Sequence, residues 1–335
     1  MKQQQTIESQ NTHPNFWGKI PEEEYYTQQG IKSTNSFYKI PNTNQNLFTK
    51  SWVPLNTPPR GIICMVHGYG NDVSWTFQST PIYLAQNGFA CFALDLPGHG
   101  QSDGLKAFVP NVDLVVDHCV SYFDSVLGRF SGLNLPAFLF GESMGGAICL
   151  LISLKLNDPN FVDFVNIKSV VGAVLIAPMC RISDNVRPRW PIPEVLTLLG
   201  QFMPTLPIVP TPDLMEKSVK VPEKRVIAGL NPFRYLGKPR LGTVLELLRV
   251  TDYLSARLKD VTIPFIVLHG SADVVTDPNV SRDLYEEAKS DDKTIKIYDG
   301  MHHSLLFGET DENVALVRND ILCWLNESCN KGSVR

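Results

Sequence analysis

The stretch 138-FLFGESMGG-146 decides how this chain folds. Phe138–Phe140 is apolar and reads as a buried strand, and the residues after Gly145 are apolar and read as a buried helix. Between them stands Gly141-Glu-Ser143-Met-Gly145, a Gly-x-Ser-x-Gly pattern. A strand that turns sharply into a helix needs glycines beside the turn, because side chains there would collide with neighbouring backbone. The serine at the apex is forced into an exposed, strained conformation, so Ser143 is the candidate nucleophile.

Working outward, short runs rich in apolar and β-branched residues recur on both sides. They are Gly61–Val66, Phe89–Leu94, Ala137–Phe140, Ala173–Ile176, Phe265–Leu268 and Thr294–Tyr298. Most are continuously apolar, as strands buried on both faces of a parallel sheet are. Helical segments separate them. Asp113–Phe130 sets Leu114, Val115, Cys119, Phe123 and Leu127 on one stripe, and Gly145–Leu156 is apolar nearly all round. Ser281–Ala288 and Glu312–Asn326 complete the series. Strands alternating with helices predict an α/β fold with a mostly parallel, doubly wound sheet. Before this series, Glu22–Gln29 reads as a short helix. Ser36–Ile40 and Leu47–Val53 read as strands joined through a turn at Pro41–Asn46.

Two regions break the rhythm. Residues 1–18 are polar and predict a flexible arm. Residues 179–259 are dense in Pro and carry amphipathic pieces at Pro193–Phe202 and Leu241–Leu254. Lying between two strands, they predict a helical cap inserted into a core of 19–178 and 260–330; helices that merely extend the core are the alternative. The net charge of −4 gives no footing for nucleic acid or a polybasic membrane anchor. The longest apolar run, Ala147–Leu154, is too short to cross a bilayer. Seven cysteines without a CxxC spacing argue against zinc and dithiol chemistry. Cys64, Cys91 and Cys149 sit in apolar runs, as buried hydrophobes do. No apolar segment follows the first Lys, so the expectation is a cytoplasmic protein with free thiols. No P-loop, GxGxxG or metal-ligand cluster appears, so neither cofactor nor metal is expected.

A serine hydroxyl needs a base to become a nucleophile, and the base needs an orienting acid. In a strand–elbow–helix fold these follow the serine in the order acid, then histidine. Phe265–Leu268 leads into a loop with Asp273; Thr294–Tyr298 leads into a loop with His302 and His303. Asp277 competes with Asp273 but precedes Pro278, the signature of a helix start. Spacing does not separate His302 from His303. For the oxyanion, one donor is the backbone N–H of Met144, free at a helix start and aided by the helix dipole. The other comes from His67-Gly-Tyr-Gly70, with Tyr69 N–H as the candidate; losing one such donor costs about 10²–10³ in rate. His67 to Asp72 also matches His-x₄-Asp, a pattern of some acyltransferases, but two fixed positions in six arise readily by chance.

The chain resembles the plant branch of the monoacylglycerol lipase family, which also holds caffeoylshikimate esterases. The resemblance runs from about Pro21 to Asn326. It is carried by Pro21-Glu-Glu-Glu-Tyr-Tyr, His67-Gly-Tyr-Gly-Asn-Asp, Gly98-His-Gly, Gly141-Glu-Ser-Met-Gly-Gly and Ala177-Pro-Met. Lys238-Pro-Arg-Leu-Gly-Thr, His269-Gly-Ser-Ala-Asp and Asp299-Gly-Met-His-His-Ser complete it. It implies an α/β-hydrolase fold with a helical cap, and Asp273 as the acid. The family pattern Gly-Met-aromatic-His puts the base at its fourth place, which is His303; His302 takes the aromatic place. The implied reaction is hydrolysis of a small-molecule ester, a monoacylglycerol or a hydroxycinnamoyl shikimate, through an acyl-enzyme. His67, Leu196, Leu199 and Phe202 are the candidate substrate-binding residues. Together with Met203, the apolar cap residues suit a fatty-acyl chain or peripheral contact with a membrane. Arg187 or Arg189 could meet a shikimate carboxylate. Two other readings use the same residues: acyl transfer to an alcohol, and a ligand-binding receptor of this fold with weak or no turnover.

Overall fold

The computed structural model describes residues 17–181, 192–209 and 214–332. The expected arm lies outside them except for its last two residues, and Arg187 and Arg189 lie outside altogether. Eight strands form one sheet in the order β1-β2-β4-β3-β5-β6-β7-β8. They are β1 (Ile31–Lys39), β2 (Asn46–Pro54), β3 (Gly61–Val66), β4 (Phe89–Leu94), β5 (Ala137–Glu142), β6 (Val170–Ile176), β7 (Phe265–Gly270) and β8 (Lys293–Tyr298). β1 pairs with β2, and β2 with β4, antiparallel. All pairs from β4 to β8 are parallel. β4 lies on one side of β3 and β5 on the other, so the chain reverses its winding at β3. Ligands of open α/β sheets bind at the carboxyl ends of strands beside such a switch point.

The continuous apolar runs are explained by the two cores. Ile62, Cys64 and Val66 of β3 face one, and Ile63 and Met65 the other. β5 divides likewise, Ala137 and Leu139 against Phe138 and Phe140. One face is covered by α3 (Val112–Gly128), α4 (Met144–Leu156) and α9 (Pro278–Glu287). The other is covered by α1 (Glu22–Gln28), α2 (Ser79–Gln86) and α10 (Asp311–Gly332). α4 is buried on every side from Met144 to Ser153, so it shows no polar face.

Two local readings need correction. β1 begins at Ile31, five residues before the expected start, because Lys32–Asn35 are polar. As an edge strand, β1 pairs on one side alone and leaves most of its side chains in solvent, so its pattern lacks the apolar signal. Leu114 is 51% exposed and leaves the α3 stripe; Val112, Val116, Val120 and Val126 join Val115, Cys119, Phe123 and Leu127 on the buried face. Asn111 caps α3 by accepting the Leu114 N–H at 2.9 Å.

Between β6 and β7 the described chain is helical: α5 (Ile192–Phe202), α6 (Leu214–Ser218), α7 (Pro222–Gly229) and α8 (Leu241–Ser255). α8 is docked on the core. Its Leu241, Val250 and Leu254 are buried. Thr243 Oγ1 accepts the Val109 N–H at 2.9 Å, and Glu246 accepts the Val112 N–H at 2.7 Å. α5, by contrast, leaves Leu198 and Phe202 exposed.

Candidate active site

Ser143 stands between β5 and α4 with φ +55° and ψ −116°, a left-handed conformation that a non-glycine residue reaches only under strain of about 1–3 kcal/mol. The surroundings impose it. The Ser143 N–H donates to Ile176 O at 2.9 Å, and Ser143 O accepts from Gly146 N (2.9 Å) and Met179 N (3.0 Å). A Cβ on Gly141 would lie 2.3 Å from Gly145 O, and one on Gly145 2.2 Å from Val66 O. Both glycines are therefore required by close backbone approach.

The β3–α2 loop closes over the elbow. A Cβ on Gly68 would lie 3.3 Å from Ser143 Cβ, so the backbone of this loop runs directly against the serine. Tyr69 follows, and Gly70 takes φ +72°. Met144 is the first residue of α4, so its N–H has no acceptor within the helix. The Tyr69 side chain is held away by donating to Ala107 O at 3.0 Å.

Asp273, in the loop after β7, gathers five donors. Its Oδ2 accepts from His303 Nδ1 (2.6 Å), Thr276 Oγ1 (2.9 Å) and His269 Nε2 (3.0 Å). Its Oδ1 accepts the N–H groups of Val275 (2.7 Å) and Thr276 (3.1 Å). Burial pushes this carboxyl up, but the charge of His303 and the bonds from both histidines outweigh it, and the group is held well below the ordinary carboxylate range. Asp277 does something else: it caps α9, accepting the Asn279 N–H at 2.9 Å ahead of Pro278.

Of the neighbouring histidines, His303 bonds Asp273 and lines the same cleft as Ser143. His302 turns inward: its ring Nδ1 is buried without a partner among the described residues, and its backbone N–H donates to Glu309 at 2.7 Å. With Nδ1 of His303 donating to Asp273, Nε2 is the nitrogen left for the serine. Among the described residues no hydrogen bond joins Ser143 Oγ to His303 at rest; such bonds commonly tighten only with substrate in place.

The expected substrate-binding residues stand apart from the wall of this cleft. His67 is fully buried and lies outside the cleft wall. Its Nε2 accepts the Leu96 N–H at 3.0 Å, so Nδ1 carries the proton and donates to Gly68 O at 2.7 Å. Burial brings its pKa down to about 3, with His99 adding to the shift, and the ring is a neutral prop beneath the loop. Asp72, the other end of the His-x₄-Asp match, is equally buried and accepts from Ser74 N (2.8 Å) and Asn231 Nδ2 (2.5 Å). Leu196 and Leu199 are half-buried on α5 and Phe202 is 75% exposed; none lines the cleft at Ser143. Phe202 faces solvent at the end of α5.

The cleft is a cavity of about 140 Å³ walled by Ser143, His303, Asn71, Thr76, Thr80 and Arg234, among others. Glu142 also lines it; burial pushes its carboxyl up to about 7, against the pull of His303 and Arg318. The sequence gives Thr276, Glu309 and Arg234 no role, and it marks His269 only as the end of a strand. His269 ends an apolar strand and Arg234 sits in a Pro-rich insertion, and neither has a spacing that marks it.

The profile of the serine aminopeptidase, S33 family matches residues 57–311. The caffeoylshikimate esterase of Arabidopsis thaliana is 42% identical over 317 residues, 95% of this chain and 92% of that protein. The monoglyceride lipase of Homo sapiens is 30% identical over 303 residues, 90% of this chain and 93% of that one. In fold, the chain is similar to a soluble variant of monoglyceride lipase from Saccharomyces cerevisiae in complex with a substrate analog. The TM-score is 0.76 at 22% identity, over 94% of this chain and 97% of that one. The chain belongs to the serine aminopeptidase, S33 family of α/β-hydrolases and is a carboxylic-ester hydrolase.

Proposed function

We propose that Ser143 is the nucleophile, His303 the general base and acid, and Asp273 the residue that orients it. Ser143 Oγ attacks the ester carbonyl while His303 Nε2 takes its proton. The oxyanion is held by the N–H groups of Met144 and Tyr69. Collapse breaks the bond to the alcohol oxygen, which leaves with the proton from His303. Water then attacks the acyl-enzyme by the same route and releases the acid. In this reading residues 179–259 form the cap over a core of 19–178 and 260–330.

The observation that carries the substrate reading is the cleft. Its volume of about 140 Å³ and the polar side chains of Asn71, Thr76, Thr80 and Ser304 in a wall that also holds Phe77, Ile176 and Leu305 suit a small polyol as the leaving alcohol. Monoacylglycerol is the lead substrate. Leu198, Phe202, Met203, Leu206 and Ile208 are exposed together at the end of α5 and just beyond it, which suits contact with a lipid surface. No described helix is long and apolar enough to cross a membrane, so the contact is peripheral. All seven cysteines are free thiols, which suits a cytoplasmic location. A second reading, hydrolysis of caffeoyl shikimate, is favoured by Arg234 in the cleft wall and by the 42% identical relative.

Side-by-side kcat/KM for a long-chain monoacylglycerol and caffeoyl shikimate tests both, and a hundredfold preference decides between them. Labelling by a fluorophosphonate, abolished in Ser143→Ala, with many turnovers per enzyme separates an esterase from a receptor. Substantial esterase activity in Ser143→Ala refutes the mechanism.

A further inference from the structure

One end of the stretch 218–235 is bonded to the loop that carries His303. The Ser304 N–H, directly after that histidine, donates to Ser218 O at 2.9 Å, and the Val221 N–H donates to Gly308 O at 3.0 Å. Lys220 Nζ donates to Gly300 O and Lys224 Nζ to Glu309 O, each at 2.7 Å. The two backbones run close together, since a Cβ on Gly308 would lie 2.9 Å from Val219 Cα. The other end is bonded to the loop after β3. Asn231 Nδ2 donates to Asp72 at 2.5 Å, the Tyr235 N–H donates to Gly70 O at 3.0 Å, and Trp75 Nε1 donates to Ile227 O at 2.9 Å. α7 runs between the two ends, and the buried Val219 and Ala228 line the Ser143 cleft.

We infer that 218–235 is a strut that sets the His303 loop and the loop after β3 relative to each other, so that Lys220 and Asn231 are positioning residues for the reaction. The inference rests on the reading of His303 as the base and of the Tyr69 N–H as an oxyanion donor. Those two groups sit on separate loops, and a misplacement of about 1 Å in such a constellation costs about 10² in rate. A helix suits the middle of a strut, because its internal hydrogen bonds fix its length, about 12 Å for the eight residues of α7. Pro222 opens α7 at a place where its fixed φ already fits the helix. At the far end the Asn231 amide is held in one orientation: its Oδ1 accepts the Phe233 N–H at 3.0 Å, which leaves Nδ2 facing Asp72. Asn231 and Asp72 are both buried, so water does not compete for this bond. Asp72 in turn accepts the Ser74 N–H at 2.8 Å and so holds the backbone of its own loop. The stretch between β6 and β7 thereby supplies part of the frame of the catalytic residues as well as part of the cleft wall.

A double-mutant cycle tests it on the full chain, with p-nitrophenyl butyrate as substrate. Lys220→Met releases the end at Gly300, and Asn231→Ala releases the end at Asp72. Each single variant loses about tenfold or more in kcat while KM stays within about threefold. The affinity for butaneboronic acid, which forms a tetrahedral adduct on serine, falls by the same factor as kcat, an effect that lowered stability alone would not produce. Lys220→Arg keeps a donor for Gly300 O and recovers most of the loss. Once one end is free the other has little left to hold, so the double variant loses less than about a third of the product of the single losses. A double variant at or above about a third of that product overturns the strut, because each end then acts locally. Single losses under about threefold in kcat overturn it as well. Urea midpoints check folding; if Asn231→Ala does not fold, Trp75→Phe, which loses the bond to Ile227 O and keeps an aromatic ring, takes its place in the cycle. Activity retained in His303→Gln, with the losses still non-additive, refutes the base assignment and leaves the strut standing. Additive losses with His303→Gln inactive refute the strut alone.

Discussion

Asp273→Asn isolates what the buried acid does. The wild-type carboxylate accepts five hydrogen bonds, three on Oδ2 and two on Oδ1. An amide of the same shape must turn its NH₂ toward one of these sets. At the Oδ1 place it would face the backbone N–H groups of Val275 and Thr276, at 2.7 and 3.1 Å, which have no way to rotate. At the Oδ2 place it would face the Thr276 hydroxyl, which can rotate, and two imidazoles, which can change tautomer. The second choice is cheaper. It forces the His303 proton from Nδ1 onto Nε2, the nitrogen proposed to accept from Ser143. A base in the wrong tautomer costs about 10⁴ in kcat, or about 5.5 kcal/mol of barrier. The same change leaves groups poorly matched in a buried site and lowers stability by about 1–3 kcal/mol. Turnover of p-nitrophenyl butyrate and urea unfolding measure the two effects. A variant that keeps more than a tenth of wild-type kcat would refute the tautomer reasoning.

Three further outcomes follow from the same geometry. His303→Gln loses about 10⁴ or more in kcat, whereas His302→Phe stays within about tenfold, because His302 lies outside the cleft wall; steady-state kinetics on both variants decide, and equal losses would contradict the assignment. Gly145→Ala places a Cβ 2.2 Å from Val66 O and 2.8 Å from His67 O, so β3 and its loop must move by several tenths of an ångström. Activity falls at least about 10²-fold through displacement of the loop after β3, proposed to hold the oxyanion, with a lower urea midpoint, and a variant with near-normal kcat would contradict that contact. Burial lifts the Glu142 carboxyl to about 7, so this group gains its charge as pH rises through about 7, and any change in kcat/KM that it causes near that pH is absent from Glu142→Gln; an unchanged profile in the variant shows that this charge plays no part.

Much of the architecture was legible because burial on two faces leaves a mark in the chain. β3 and β4 match the apolar runs residue for residue, and the elbow could be placed at Ser143 from two glycines with a strand and a helix around them. β1 was half-hidden because an edge strand meets the core along one side alone, so composition does not mark it. The cap residues are ambiguous for a related reason. Apolar residues such as Phe202 suit an acyl chain or a membrane surface in the sequence, and a hydrophobic residue on an inserted helix can face inward or, as Phe202 does, outward.

The sequence by itself determined the fold class and the strand-to-helix turn at Ser143, and it set the expectations of Asp273 as the loop acid ahead of Asp277 and of a helical cap between two strands. Each rests on local pattern: periodicity, a turn that tolerates nothing but glycine, a proline that starts a helix. Only the tertiary structure decided how the acid is held and what walls the cleft. His269, Thr276 and His303 meet on one carboxylate oxygen because β7, the loop after it and the loop after β8 converge at the end of the sheet. Arg234 lines the same cleft as Ser143 because its turn is bonded to the loop after β3 across more than 150 positions of chain. Such contacts depend on where strands end in space, and spacing along the chain carries no record of that.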